Sequence, residues 1–306
     1  MQFLFFILVL IAGASTPVQT AVNSALERSV KSPFAASFFS FVVGTVVAVV
    51  VAALTLRGGQ LEAMKGAPWY AYCGGVCGLV ALTSFIVLFP KIGGMETVLL
   101  PVFGQIVTAL AIDSFGLFGM EKSPFTASDF AGMLLVMAGV ILVVWRKEDG
   151  VSGGNAAGKL PWRILGLVAG ALIAMQSAMN GALTVRTGSP YLAAAYSFVT
   201  STLLLFILVL CLRSALSGFK LCFTEKRPWW TSCGGFLGAF IVIAYAASVP
   251  YTGVGMLAVL SILGQLIASV CIDRFGLMGA RKYKVTFLQY TGVAVVFAGA
   301  LIINYL

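Results

Sequence analysis

The sequence predicts an all-α polytopic membrane protein of ten transmembrane helices, arranged as two inverted five-helix repeats. Three observations carry this expectation: the hydropathy of the whole chain, a repeat that spans its two halves, and a lopsided distribution of Lys and Arg among the connecting loops. Hydrophobic residues fill 60% of the 306 positions and charged residues only 9%, with a mean hydropathy of +1.03. A spanning helix takes about 20 mostly apolar residues, because every backbone polar group in hydrocarbon must be paired inside its own segment. Ten such segments read along the chain, at 3–26, 33–56, 68–90, 94–117, 127–146, 162–185, 190–212, 229–249, 254–276 and 285–305. They leave no room for an extramembrane catalytic or nucleic-acid-binding module. The net charge of +9 sits in the short loops between them, a topological signal rather than a nucleic-acid footprint.

The first segment has an apolar stretch followed by small residues from Ala12 to Ser15, like a secretory signal, but it lacks the positive n-region. The residues after the supposed cleavage point also recur in mid-chain, so this segment is read as a retained helix. The recurrence has an offset of 157 and later 160. Gln19, Asn23, Ser32, Pro33, Ser40, Phe41 and Thr45 are matched by Gln176, Asn180, Ser189, Pro190, Ser197, Phe198 and Thr202. Cys73, Gly74, Gly75 and Gly78 are matched by Cys233, Gly234, Gly235 and Gly238. GQIVTALAIDSFGLFG, from Gly104 to Gly119, returns as GQLIASVCIDRFGLMG, from Gly264 to Gly279. Chance similarity between apolar helices would not keep the polar and glycine positions. Repeat 1 is placed at 1–147, a Gly- and Ser-containing cytoplasmic linker at 148–160 and repeat 2 at 161–306.

Each repeat holds five spans, an odd number, so the second must enter the membrane from the opposite side. Loops 1–2, 3–4, 5–6, 7–8 and 9–10 hold fifteen Lys and Arg residues, whereas the opposite loops hold four, Arg57, Lys65, Lys122 and Arg186. The first set is therefore placed in the cytoplasm and both termini outside.

The doubled repeat, the Gln-x3-Asn element at Gln19 and Gln176, and the motif GQxxxxxxIDxFGLxG resemble the YdcZ-type branch of the drug/metabolite transporter superfamily, in a fused two-repeat form. The resemblance covers essentially the whole chain. It implies a ten-helix transporter with a central cavity between the halves, and brings no substrate with it.

Candidate solute contacts come from the few polar residues inside the spans. Thr16, Gln19, Thr20 and Asn23 form a stripe at three- and four-residue spacing, and Gln176, Ser177 and Asn180 form its counterpart. Gln105 and Gln265 stand near the middle of their spans, each preceded by a glycine. Two readings stay open for these amides: hydrogen bonding between helices, or lining an aqueous cavity. The pairs Gly74/Gly78 and Gly234/Gly238 indicate close helix packing. Asp113 and Asp273 lie toward helix ends, where loop or capping roles are expected. Glu27 beside Arg28 suggests a surface ion pair. Glu96, replaced by Met256 in the second half, is open between a helix-terminus role and a functional one. Trp69, Trp229 and Trp230 suit an interfacial belt. Tyr245, whose counterpart is Phe85, is a candidate for lining the cavity. The substrate set is thus Gln19, Asn23, Glu96, Gln105, Gln176, Asn180, Tyr245 and Gln265.

The six cysteines show no disulfide framework or metal spacing, since Cys73 is matched by Cys233 but Cys77 by Leu237. With no histidine, and with no convergent nucleophile and base, neither metal, cofactor nor enzyme is expected. The function expected is secondary transport of a small neutral, zwitterionic or cationic organic solute across the cytoplasmic membrane. The spans lack the Lys or Arg that a multiply charged anion would need. A membrane-embedded accessory or scaffold subunit is the alternative. The expected partners are the solute and the lipid bilayer, not nucleic acid, and the expected assembly is a monomer.

Overall fold

Serine–proline pairs set the first corner of each half. A computed structural model describes residues 2–144, 156–277 and 286–305, with the side chains of Glu96 and Asp273 outside the description. Helix α1 (Gln2–Val30) stops at Lys31, which takes a left-handed backbone conformation (φ 54°), and Ser32 then caps α2 (Pro33–Thr55). The Ser32 Oγ accepts the Ala35 N–H at 3.3 Å, with Pro33 opening the helix where no amide hydrogen is needed. The corner recurs between α6 (Ala156–Thr187) and α7 (Pro190–Cys211). There Gly188 (φ 65°) precedes Ser189, whose Oγ accepts the Leu192 N–H at 3.2 Å. The expected linker at 148–160 lies outside the described residues up to 155, and 156–160 already belong to α6.

Two long elements each take in two of the expected spans. Helices α4 (Gly74–Phe115) and α9 (Gly234–Phe275) each run for 42 residues. Straight, each would be about 63 Å long, twice the hydrocarbon thickness. Both instead fold back into two arms. In α4, Leu88 and Leu100 both lie against the space beside Gly166 of α6, although 12 helical residues would separate them by about 18 Å. From Gly74 to Leu88 the chain passes Asn180, Gln176 and then Gly166. From Leu100 to Ile112 it returns past Gly166 and Gly170 toward Ala174 and Ala178. The break expected at 91–93 falls in a stretch of α4 where most side chains lie outside the description, and the one expected at 250–253 is present as a kink at Gly253 (φ 71°, ψ 172°), three residues after Pro250. Only glycine tolerates that conformation cheaply. The arms begin later than expected, at Gly74 and Gly234, because proline-led 3-10 turns occupy Trp69–Tyr72 and Trp229–Ser232.

The remaining elements are α3 (Gln60–Lys65), α5 (Ala127–Val144), α8 (Arg213–Thr224) and α10 (Phe287–Tyr305). Helix α8 was not expected from the hydropathy, being too polar for a span. Among the described residues, five helical segments are long and apolar enough to cross a membrane, and Gly74–Phe85, Leu99–Phe115, Ala127–Val143 and Phe287–Ile303 are shorter apolar stretches. The protein is thus an all-helical, polytopic membrane protein.

Contacts between the halves occur in matched pairs. Helix α1 packs along α9, and α6 along α4. Thr45 and Thr202, equivalent positions of α2 and α7, hydrogen-bond each other through their hydroxyls at 2.7 Å. In the α5–α10 pair, Gly132 faces Gly299 while Gly139 faces Gly292. This reciprocal exchange is what a two-fold contact requires.

Among the described residues the ion pair is Glu62 with Lys65, at 2.9 Å. The pairing expected of Glu27 with Arg28 does not form, because adjacent helical residues point apart. Asp113 does act as a cap, for a helix of the other half. Its carboxylate accepts the N–H groups of Val254 (2.9 Å) and Gly255 (2.6 Å), at the start of the second arm of α9. A carboxylate there satisfies orphan amides and complements the helix dipole. Asp113→Ala should lower the unfolding free energy by about 1.5–3 kcal/mol, the usual worth of hydrogen bonds to a charged group. Asp113→Asn, which keeps one acceptor, should cost less. Chemical denaturation of the purified protein in detergent measures both.

Candidate functional site

Space left by glycines and filled by amides defines the interior. Going along α6, the Asn180 Oδ1 rests against Gly74 and the Gln176 amide against Gly78. The equivalent pairs, Asn23 with Gly234 and Gln19 with Gly238, join α1 to α9. The three- and four-residue spacing of the amide stripe meets a four-residue spacing of glycines on an antiparallel arm, so two amides on one helix seat at once. A methyl group at any of these glycines would occupy the place of an amide head.

Below these contacts lies a cavity of about 230 Å³ lined by residues of α1, α2, α4, α6, α7 and α9. Seven of the eight residues singled out from the sequence line it: Gln19, Asn23, Gln105, Gln176, Asn180, Tyr245 and Gln265. Glu96, the eighth, has its side chain outside the described residues. Gln105 is buried, at 5% exposure, with the preceding Gly104 pressed against the Leu167 carbonyl of α6. The glycine thus lets α4 and α6 approach closely enough to aim the amide inward. Gln265, preceded by Gly264 against the Leu10 carbonyl of α1, is placed in the same way.

Of the six cavity amides, Asn180 alone makes a side-chain hydrogen bond among the described residues. The Asn180 Nδ2 donates to the Ser197 Oγ at 3.5 Å, and the Asn23 Oδ1 is buried without a donor. Gln19, Gln105, Gln176 and Gln265 make no protein hydrogen bond among the described residues, which leaves four amide heads unpaired around one cavity. The Tyr245 hydroxyl is buried beside Thr16 and Ser261 and completes no hydrogen bond of ordinary geometry. Ser201, by contrast, is fully engaged, donating to the Gly75 carbonyl at 2.8 Å across the halves.

The sequence reading missed several lining residues. Ser40 with Ser197, and Phe41 with Phe198, were visible only as repeat-matched pairs, and their place on the cavity wall depends on how α2 and α7 cross the arms. Together with Phe85 they give the cavity flat apolar walls beside its amides. No Asp, Glu, Lys or Arg is among the described lining residues.

The comparisons with known proteins bear on this arrangement. A family model described as "Putative inner membrane exporter, YdcZ" matches residues 4–142 and again 161–302. The chain belongs to this family, in the drug/metabolite transporter superfamily. Two matched segments fit a doubled repeat form. A crystal structure of another protein aligns with 99% of this chain and 96% of its own, at TM-score 0.69 and 13% identity, a likeness of fold alone. No curated protein matches the chain significantly. The YdcZ family is one of inner-membrane transport rather than of catalysis.

Glycine substitutions separate the cavity from the scaffold. At Gly78 and Gly238 an added methyl would meet the movable ends of Gln176 and Gln19, whereas at Gly170 it would meet the Pro101 carbonyl, which cannot turn aside. Gly78→Ala and Gly238→Ala should therefore fold, losing about 1 kcal/mol or less, while Gly170→Ala should lose about 1–3 kcal/mol, the usual cost of overpacking, or more. Melting of the three purified variants beside wild type checks the ranking.

Proposed function

We propose that the chain is a ten-span secondary transporter, built as two inverted repeats, that carries a small organic solute through the cavity between them. The observation that carries this reading is the ring of four glutamines with unpaired amides. The four amides open onto the cavity and are not sealed in apolar packing, where an unpaired amide would cost several kcal/mol, so water or solute in that space supplies the partners they lack in the protein. A scaffold subunit would gain nothing from them, and interhelical bonding, the bland alternative, has no such bond from any of the four to support it.

Matched contacts support the inverted arrangement: α1 meets α9 as α6 meets α4, and equivalent threonines meet each other. The two arms of each long helix supply the third and fourth spans of each half. The excess of Lys and Arg supports cytoplasmic placement of the 1–2, 3–4, 5–6, 7–8 and 9–10 connections, with the termini outside.

In this reading Gln19, Asn23, Gln105, Gln176, Asn180 and Gln265 offer donors and acceptors to the solute, and Tyr245 adds a hydroxyl found in one half only. A cavity of about 230 Å³ lies below the range of drug-sized pockets. The solute is therefore small, and neutral, zwitterionic or cationic. Glu96 is the carboxylate through which a cation or proton would act.

Gln105→Leu and Gln265→Leu should each lower solute affinity about fivefold, the worth of one hydrogen bond of about 1 kcal/mol, with melting temperatures close to wild type. A solute found by a thermal-shift screen of the purified protein provides the ligand for this measurement. Destabilised variants with unchanged affinity would return the amides to a packing role.

A further inference from the structure

Helix α8 has no place in the cavity, and its chemistry points outward. Ala215, Gly218 and Cys222 form its buried face, at three- and four-residue spacing. Ala215 packs with Phe38 of α2 and with Leu205 and Val209 of α7, Gly218 sits over Val30 and Ser32 at the α1–α2 corner, and Cys222 packs with Leu26 and Val30. The helix, about 18 Å long, therefore lies across the ends of α7, α2 and α1, as an interfacial helix does. Its other face alternates basic and apolar side chains. Arg213, Leu216, Lys220 and Phe223 follow one another at helical spacing, all exposed, Phe223 by 70%.

Arg227 closes one end of this surface. Its Nη2 donates to the Cys222 carbonyl at 2.6 Å, and the guanidinium lies 4.7 Å from the ring centre of Phe39, which in turn meets Phe223 edge-on. The Nη1 is buried and has no acceptor. Among the described residues Arg227 has no carboxylate partner. Lys226 beside it is exposed, and the nearest acidic residue in the sequence, Glu225, is exposed as well. Arg227 is thus fixed at the edge of the surface, its Nη1 turned inward, and the cations open to an acceptor from outside the chain are Arg213, Lys220 and Lys226. At the membrane surface the abundant acceptor is a lipid phosphate. The corresponding stretch of the first half has none of these cations: Gln60, Gly66 and Ala67 stand where Lys220, Lys226 and Arg227 do. The feature thus belongs to one face of the protein, the one that the excess of Lys and Arg places in the cytoplasm, where the leaflet carries anionic lipid.

We propose that α8, with Lys226 and Arg227, binds the phosphate headgroup of an anionic membrane phospholipid. The exposed Lys220 and Lys226 ammonium groups contact the phosphate, Arg227 adds its charge from just beneath the surface, and Leu216 and Phe223 lie among the acyl chains. The site lies apart from the cavity, so it stands or falls independently of the transport reading.

The test uses full-length protein purified in neutral detergent and titrated with a short-chain phosphatidylglycerol, a short-chain phosphatidylcholine or inorganic phosphate, with thermal melting as the readout. Phosphatidylglycerol should raise the melting temperature, and the other two should not. Removing a charge with Arg227→Gln, and two with the pair Lys220→Gln and Lys226→Gln, should weaken the apparent phosphatidylglycerol affinity about fivefold per charge, the usual worth of a basic residue near an anionic surface. Lys122→Gln, far from α8 in sequence and placed by its loop on the opposite face, should bind as wild type. The two lysines are exposed, so their double variant carries the test even if Arg227→Gln does not fold. Equal shifts with both lipids, a phosphate shift matching that of phosphatidylglycerol, or wild-type affinity in the lysine double variant would overturn the proposal.

Discussion

Amide heads set into the gaps left by glycines fix the register of one half of this molecule against the other. Four times, at Asn23–Gly234, Gln19–Gly238, Asn180–Gly74 and Gln176–Gly78, a polar side chain of one half occupies the space where a residue of the other half has no Cβ. Lipid gives apolar helices little reason to prefer each other over acyl chains, so helix association in a membrane rests on close packing and on polar contacts. This interlock supplies the packing, and the Thr45–Thr202 and Ser201–Gly75 hydrogen bonds supply polar contacts between the halves. The interlock also draws α1 onto α9 and α6 onto α4, so that the first helix of each half holds the bent helix of the other.

The bend follows from that exchange. A helix of 42 residues cannot stay straight and keep both ends near one partner of 29 or 32 residues. Returning along the same partner lets each arm bury a face against it. The turn then brings Gln105 and Gln265, far from the stripe in sequence, to the same cavity as Gln19 and Gln176. Where the arms converge, the packing does not close completely, because each amide occupies volume and needs a partner. The residual space is polar at its amides and apolar at Phe41, Phe85 and Phe198, the mixture that small-molecule sites show. Asp113 ties the far end of one bent helix to the middle of the other, joining the halves a second time.

Much of this was legible in the residues. The Ser32–Pro33 and Ser189–Pro190 corners are local, set by a cap and a fixed φ, and α2 and α7 follow the expected boundaries to within a residue. The polar stripe was legible because helical spacing decides which side chains share a face. Its partners were not. The glycines were read as helix-packing pairs and the amides as either helix glue or cavity wall, and only the fold shows that they meet each other. Contacts between halves carry no signal at short sequence separation. Helix α8 escaped for a different reason: hydropathy finds helices apolar enough to cross a membrane and overlooks one as short and polar as this. The kink of α9 was legible in Pro250 and Gly253, although Pro and Gly mark a break equally well whether the chain leaves the helix or only bends.

The central claim, that each half's amide stripe is seated on the other half's glycines, is tested most directly by cross-linking. With the native cysteines replaced, cysteines would be introduced in pairs at Asn23 and Gly234, at Asn180 and Gly74, and, as a crossed control, at Asn23 and Gly74. The membranes are then oxidised and the linked peptides identified by mass spectrometry. The account predicts that the first two pairs form disulfides and the crossed pair does not. Linkage of the crossed pair, with neither of the other two, would contradict it.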